Sequence, residues 1–267
     1  MNVRFGMNRK AALAVTALTA LAVSTLSTAS PAAAGGGHTT GDHWGVIARN
    51  TIGSPVAALR NGPFVPAGGN RQASRPPYGQ GSLGIEVADH STSLTPPSEK
   101  VDFGNEVDFA GDPVQGLKHV GFHVFQTGEN IGYGGGGATG AKNMPNIRFE
   151  IDPNLTAAPT NHFSTLNWLP DASPVTDGWS PYLDATTTGS WWLTGAAGTT
   201  TGCNQATPCS FQQVKTKLND GGPAATILTA AVGKGRDYMW IGAVDGLRIN
   251  QNIYDFEADG VHRLRVR

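Results

Sequence analysis

A chain of 267 residues with 19 basic and 20 acidic side chains, and with only 15% of its residues charged, is close to neutral. That balance provides no basic surface for nucleic acid or for an anionic bilayer, so neither is an expected partner. Its 36 glycines and 17 prolines describe a many-turn chain rather than a helical one.

In chain order, residues 1–34 have the layout of an export signal. Arg4, Arg9 and Lys10 form a basic start, Ala11–Leu26 is a mostly apolar run, and Ala32-Ala33-Ala34 ahead of Gly35 offers a small-residue cleavage site. The run is short and interrupted by Thr and Ser, unlike a membrane span. No second apolar run of spanning length follows, so the expected product is secreted, extracellular and not inserted in a membrane. Taking the signal's three basic residues from 19 leaves 16 against 20 acids, a formal charge of −4. The remaining chain of roughly 230 residues is long enough to bury a full core.

Residues 35–82 read as an N-terminal extension. Gly35–Gly41 is a glycine-rich lead-in, His43–Ala48 a first strand, and Asn50–Gln80 a Pro-, Gly- and Arg-rich loop without periodicity, packed over a sheet rim. Residues 83–267 read as one β-domain. Leu83–Ala88, Lys100–Phe103 and Leu117–Gln126 are strands separated by Pro- or Gly-rich turns. Gly128–Met144 is a glycine loop; Gly135–Gly140 with Lys142 misses the phosphate-loop spacing by one residue, and no Ser or Thr follows the lysine. Asn146–Asp152 alternates Ile147, Phe149 and Ile151 on one face with Arg148, Glu150 and Asp152 on the other. Phe163–Leu169 and Ser190–Thr194 continue the series. One helix follows, with Ser210 and Gln213 as a capping box, Phe211, Val214 and Leu218 as its apolar stripe, and Asn219–Pro223 as its stop. Ala224–Val232, Asp237–Ile249, Ile253–Phe256 and Val261–Val266 close the set. About ten short strands and one short helix predict an all-β antiparallel sandwich.

Cys203 and Cys209 are the only cysteines. In an oxidising compartment they form one disulfide, closing a short loop that fixes the helix entry.

The run WIGAVDGLRIN-x-x-IYDFE resembles the closing strands of laminin-G-like jelly rolls in the concanavalin-A-like superfamily. Four elements are similar in order to uncharacterised secreted proteins of actinobacterial type: Ile147–Asp152, Ser164–Pro170, Ser190–Trp192 with Cys203 and Cys209, and the terminal YDFE. The similarity covers roughly residues 83–260. It implies the fold and leaves the activity open, because jelly rolls host lectins, glycanases, lyases and adhesion modules alike.

The candidate ligand surface is aromatic. If Met239, Ile241 and Ala243 face the core, Tyr238 and Trp240 lie on the opposite face, about 7 Å apart. Flat rings flanked by polar groups suit sugars, whose C–H faces stack on the ring while rim side chains take the hydroxyls. Trp191 shares a face with Leu193, so Trp192, with Ser190 and Thr194, belongs to the polar face. Arg148, Glu150 and Asn167 would supply hydrogen bonds. The plainer reading is that these aromatics are packing under long loops.

Glu150 and Asp152, at i and i+2, are the weak catalytic candidates of a polysaccharide-cleaving enzyme. Retaining glycosidases hold two carboxyls about 5–5.5 Å apart. Sandwich glucanases use a Glu-x-Asp-x-Glu run, and here the acid/base position is Asn154 or Leu155, so catalysis is not the leading expectation. Asp255–Gly260 copies the front of a calcium loop apart from Glu257, but lacks the closing acid, Val266 standing there. A structural Ca²⁺, the one cofactor the sequence suggests, would use Asp245, Asp255 or Asp259; a polar turn at a strand end is the simpler reading. His119 and His123 share a strand face about 13 Å apart, too far for one ion. A non-catalytic carbohydrate-binding or extracellular interaction module is the leading expectation, with a polysaccharide or glycan as its partner, and a structural cell-surface protein is the further alternative. The residues leave the oligomeric state open.

Overall fold

A computed structural model describes residues 43–64, 75–128, 130, 143–170 and 175–266. The export segment, residues 35–42 and most of the glycine loop lie outside the described residues.

The described residues are mostly β, 43% of them in strands and 11% helical, and two antiparallel sheets form a sandwich compatible with a jelly roll. The strands are β1 (Trp44–Val46), β2 (Val56–Asn61), β3 (Gly81–Val87), β4 (Val101–Asn105), β5 (Val120–Gln126), β6 (Asn146–Asp152) and β7 (Ser164–Leu169). They continue as β8 (Gly178–Trp179), β9 (Leu183–Asp184), β10 (Ser190–Leu193), β11 (Thr226–Lys234), β12 (Trp240–Ile249), β13 (Asn252–Glu257) and β14 (Gly260–Arg265). Helices α1 (Gly195–Thr201) and α2 (Phe211–Leu218) lie between β10 and β11.

The six-stranded sheet runs β1-β4-β11-β6-β7-β10. In the eight-stranded sheet β12 is the hub: β5 lies along one side, and β3 and β13 share the other, β3 beside its first half and β13 beside its second. Each inward row reads from the alternation. Ile147, Phe149 and Ile151 of β6, Val120, Phe122 and Val124 of β5, and Leu83, Ile85 and Val87 of β3 are all buried. Phe122 meets Trp168 edge-on at 5.6 Å, and Trp44 packs on Tyr254 at 4.9 Å. Burying rows of this kind is the main stabilising term, at roughly 1.5–3 kcal/mol per large side chain.

Strands β2, β8 and β9 and helix α1 are not among the elements that the sequence predicts. Within the segment expected to be an N-terminal extension, Trp44–Val46 and Val56–Asn61 belong to the sandwich: β1 pairs with β4 in one sheet and β2 with β3 in the other. Strand β2 escaped notice because only Ala57 and Leu59 pack against the core, in a segment otherwise dominated by turn formers. Helix α1 was also unread. Its Gly-Ala-Ala-Gly-Thr-Thr-Thr sequence has poor helix propensity, and it persists because Ala197, Gly198 and Thr201 are buried. At Gly198 a Cβ would come within 2.1 Å of the Leu193 carbonyl, so helix and sheet touch backbone to backbone. Helix α2 matches the expectation: the Ser210 hydroxyl accepts from the Gln213 N–H, and the Gln213 side chain accepts from the Ser210 N–H.

Candidate functional site

On the outer face of the six-stranded sheet, the register assembles a row across five strands. Trp192 of β10 lies opposite Asn167 of β7, Asn167 opposite Arg148 of β6, Arg148 opposite Ala231 of β11, and Ala231 opposite Gly104 of β4. At the usual strand spacing this row is about 19 Å long. One step along the strands, Glu150 lies between Thr165 and Thr229. Alternation sends all of these side chains outward, because Trp191, Leu166, Phe149 and Ala230 beside them are buried.

The row floors a cleft of about 450 Å³. Its walls come from Asn50, the segment of Pro96 and Lys100, Arg236 and Asp237 after β11, and Gln205 in the loop closed by the Cys203–Cys209 disulfide. The half-buried indole of Trp192 stands at the edge strand, and Arg148 lies near the middle of the floor.

Charges on this floor are matched internally. The Arg148 guanidinium donates to Asp102, and Lys100 Nζ lies 3.3 Å from the other oxygen of Asp102. This ion pair rests on glycine: a Cβ at Gly233 would fall 1.9 Å from Asp102 Oδ1, and one at Gly235 would fall 2.7 Å from Arg148 Nη2. Glu150 accepts from Asn50 Nδ2 at 2.9 Å, from Thr229 Oγ1 at 2.8 Å and from Arg49. Burial pushes the Glu150 carboxyl up, but the hydrogen bonds from Asn50, Thr229 and Arg49, with the Arg49 charge, outweigh it and hold the acid below its ordinary value. A carboxylate so held stays ionised with both oxygens engaged, and it lacks the proton that a general acid must give.

Two expectations for the aromatics are corrected. Trp240 is fully buried: it faces the core, and its Nε1–H donates to Gln126 Oε1 at 3.1 Å. The parity of β12 is set by its neighbours. Trp240 is opposite Val87, and Val244 is opposite both Leu83 and Val124, all inward-facing, which turns Ile241 outward at 38% exposure. Burying the indole removes more apolar area than burying Ile241 would. Tyr238 precedes β12, is half-buried, and is not among the residues lining the cleft. Asp152 does not join Glu150 there either; it pairs with His162 at 3.4 Å.

The expected calcium ligands do not form a site. Among the described residues, no group of three or more His, Cys, Asp or Glu side chains is placed to hold a metal ion. Asp259, in the turn between β13 and β14, is exposed and pairs with His262 at 3.2 Å. Asp245 is fully buried on the outer side of the eight-stranded sheet, accepting from the Tyr78 N–H at 3.0 Å and the Phe256 N–H at 3.2 Å. Burial pushes its carboxyl up to about 8 against the pull of those donors, and the charge of Asp255 adds to the rise. Asp255 itself is pushed to about 6, by burial first and then by the charge of Glu257. Tyr78 lies beside Asp245, and His123, opposite Asp245 in the β12–β5 register, packs its ring against those of Tyr78 and Tyr182 at 6.0 and 5.7 Å. Gly246, at φ +62°, makes room for the Tyr78 ring, 2.4 Å from where a Cβ would stand.

Arg49, Asn50, Lys100, Asp102, Gln205 and Thr229 were not picked out from the sequence. Three of them carried a usable signal: alternation puts Lys100 and Asp102 opposite the buried Val101 and Phe103, and Thr229 opposite the buried Ala230. The chain matches no protein-family model, and neither curated proteins nor solved structures give a match to it.

Proposed function

We propose that this chain is a secreted, non-catalytic glycan-binding protein of jelly-roll type, which takes a polysaccharide in the cleft of the six-stranded sheet. The observation that carries the reading is the cross-strand row Trp192–Asn167–Arg148, an aromatic platform continued by an amide and a guanidinium on one floor. Sugar rings stack on flat aromatic faces, and their hydroxyls hydrogen-bond to planar amides and guanidinium groups. Secretion is supported by the basic-then-apolar start of the sequence, by the disulfide, and by the lack among the described residues of any helix long and apolar enough to cross a membrane. Likeness to concanavalin-A-like and laminin-G-like proteins rests on the terminal WIGAVDGLRIN-x-x-IYDFE run.

The competing reading, a glycan-cleaving enzyme using Glu150, is weakened because Glu150 is held as a carboxylate, unfit as the general acid, and Asp152, its expected partner, does not line the cleft. A pull-down on insoluble cellulose, chitin, xylan and β-glucan tests the binding reading. Retention on one of them, lost in Trp192→Ala, is the expected result. Retention on none, or full retention by the variant, would sink it, and reducing-end release abolished by Glu150→Gln would transfer the site to the enzyme reading.

A further inference from the structure

The loop closed by Cys203 and Cys209 sits beside the platform tryptophan. Trp191 and Cys209 exchange both backbone hydrogen bonds, N–H to carbonyl at 2.7 and 2.8 Å, and the Leu193 N–H donates to the Cys203 carbonyl at 2.7 Å. The two half-cystines therefore bracket Trp192, gripping the residue before it and the residue after it. Between them the loop is fixed from within. Asn204 Oδ1 accepts from the N–H of Ala206 at 2.9 Å and of Thr207 at 3.0 Å, and the Thr207 hydroxyl donates to the Gly202 carbonyl at 2.9 Å. Gln205, exposed at the tip of this rigid loop, lines the cleft, and its amide has no hydrogen-bond partner among the described residues.

The charged groups of the cleft are committed elsewhere. Arg148 and Lys100 share Asp102, Glu150 holds Arg49, Asp237 holds Lys234, and Arg236 donates to the Pro96 carbonyl at 2.8 Å. The lining therefore carries as many carboxylates as cations, and every one of them has a partner. Arg236 has no carboxylate partner among the described residues; anywhere else in the cleft an anionic sugar would have to break an existing ion pair to find a countercharge, which costs more than an uncharged sugar incurs. Beside Trp192 the groups still open to a ligand are neutral: the Gln205 amide, and the side-chain oxygen of Asn167, whose Nδ2 already donates to the Thr165 carbonyl at 3.0 Å.

We propose that the disulfide loop is a specificity wall of the glycan site, with Gln205 donating to and accepting from the hydroxyls of an uncharged sugar unit stacked on Trp192. The proposal rests on the glycan-binding reading and adds to it a ligand class and a contact residue. A rigid loop suits this task, because an amide already held in place pays little ordering entropy on binding.

Affinity electrophoresis of the mature protein through a neutral soluble β-glucan and, separately, through polygalacturonate tests it, with melting temperature measured for each variant. The expected result is retardation by the glucan alone, lost in Trp192→Ala and weakened roughly 3- to 10-fold in Gln205→Ala, the loss of one or two neutral hydrogen bonds. The melting temperature of Gln205→Ala should match that of the parent, since the side chain supports nothing in the fold. If Trp192→Ala loses binding while Gln205→Ala keeps all of it, the wall is overturned and the glycan reading stands. Equal or stronger retardation by polygalacturonate overturns the uncharged class. Retardation by neither polymer removes the inference together with the reading beneath it.

Discussion

The outer faces of the two sheets both carry acids among polar neighbours, and they treat those acids in opposite ways. On the six-stranded face Glu150 faces a guanidinium, an amide and a hydroxyl, and is held below its ordinary value of 4.5. On the eight-stranded face Asp245 faces only backbone N–H groups, under the Tyr78 segment and near a second carboxylate, and is pushed up to about 8. The first arrangement leaves a cleft whose floor is electrically satisfied. The second closes a seam: Asp245 ties the chain at Tyr78, ahead of β3, to Phe256 of β13, across the place where those strands share β12. Burial alone does not decide what a carboxylate does. The charge of its donors counts as well.

Replacing the seam acid gives the largest expected effect. Asp245→Ala strips the acceptors from two N–H groups, and should destabilise the fold by about 2–5 kcal/mol in urea titration. Asp245→Asn keeps the shape but leaves an acceptor for only one of those N–H groups, so it should cost an intermediate amount, while changing the pH dependence. An acid raised in the folded state stabilises that state fully below its unfolded value of 3.8, and this contribution is lost as pH rises towards about 8. The parent should therefore lose stability between these limits with a slope that Asp245→Asn flattens. Asp255, raised to about 6, adds to the lower part of the same window. An unchanged slope in the variant would show that Asp245 ionises normally.

A smaller effect, of opposite sign, is expected at the cleft. Glu150 is lowered in the folded state, so its contribution is present above the ordinary glutamate value of 4.5 and is lost as pH falls through the folded value. Glu150→Gln should cost about 1–2 kcal/mol near neutrality, the ion pair being discounted because Arg49 is half-exposed, and nothing at low pH. Urea midpoints followed from pH 7 downward would check this, and a loss that does not shrink as pH falls to the acid limit of the fold would contradict it. The smallest expected change is at the platform: Trp192→Ala should cost no more than about 1 kcal/mol, since the indole is not in the core. A loss as large as that of a core tryptophan, roughly 3–5 kcal/mol, would mean that Trp192 is packing rather than surface.

The sandwich could be read from the sequence because its inward rows are long and strictly alternating. Val120, Phe122 and Val124, and Ile147, Phe149 and Ile151, need no partner to be recognised. Trp192, Asn167, Arg148 and Glu150 could be put on one side of their own strands by the same rule, but their convergence depends on the strand order β10-β7-β6, which no local pattern carries. Strand β12 misled because both its rows are apolar. Met239, Ile241 and Ala243 look as fit for a core as Trp240, Gly242 and Val244, and only the register with β3 and β5 chooses between them. Arg49 and Gln205 reach the cleft from segments with no periodicity at all, where position is set by tertiary contact and by the disulfide.

The bracket around Trp192 also acts on a different problem. Strand β10 ends its sheet, and an outermost strand carrying Trp191, Trp192 and Leu193 is a template for another chain to pair with. The Cys203 carbonyl and the carbonyl and N–H of Cys209 already occupy that rim, from the residue before Trp192 to the residue after it. At the far rim, β1 is only three residues long. The covalent loop therefore keeps a tryptophan-rich edge from recruiting its own kind, and the sheet can display an aromatic platform without becoming adhesive to itself.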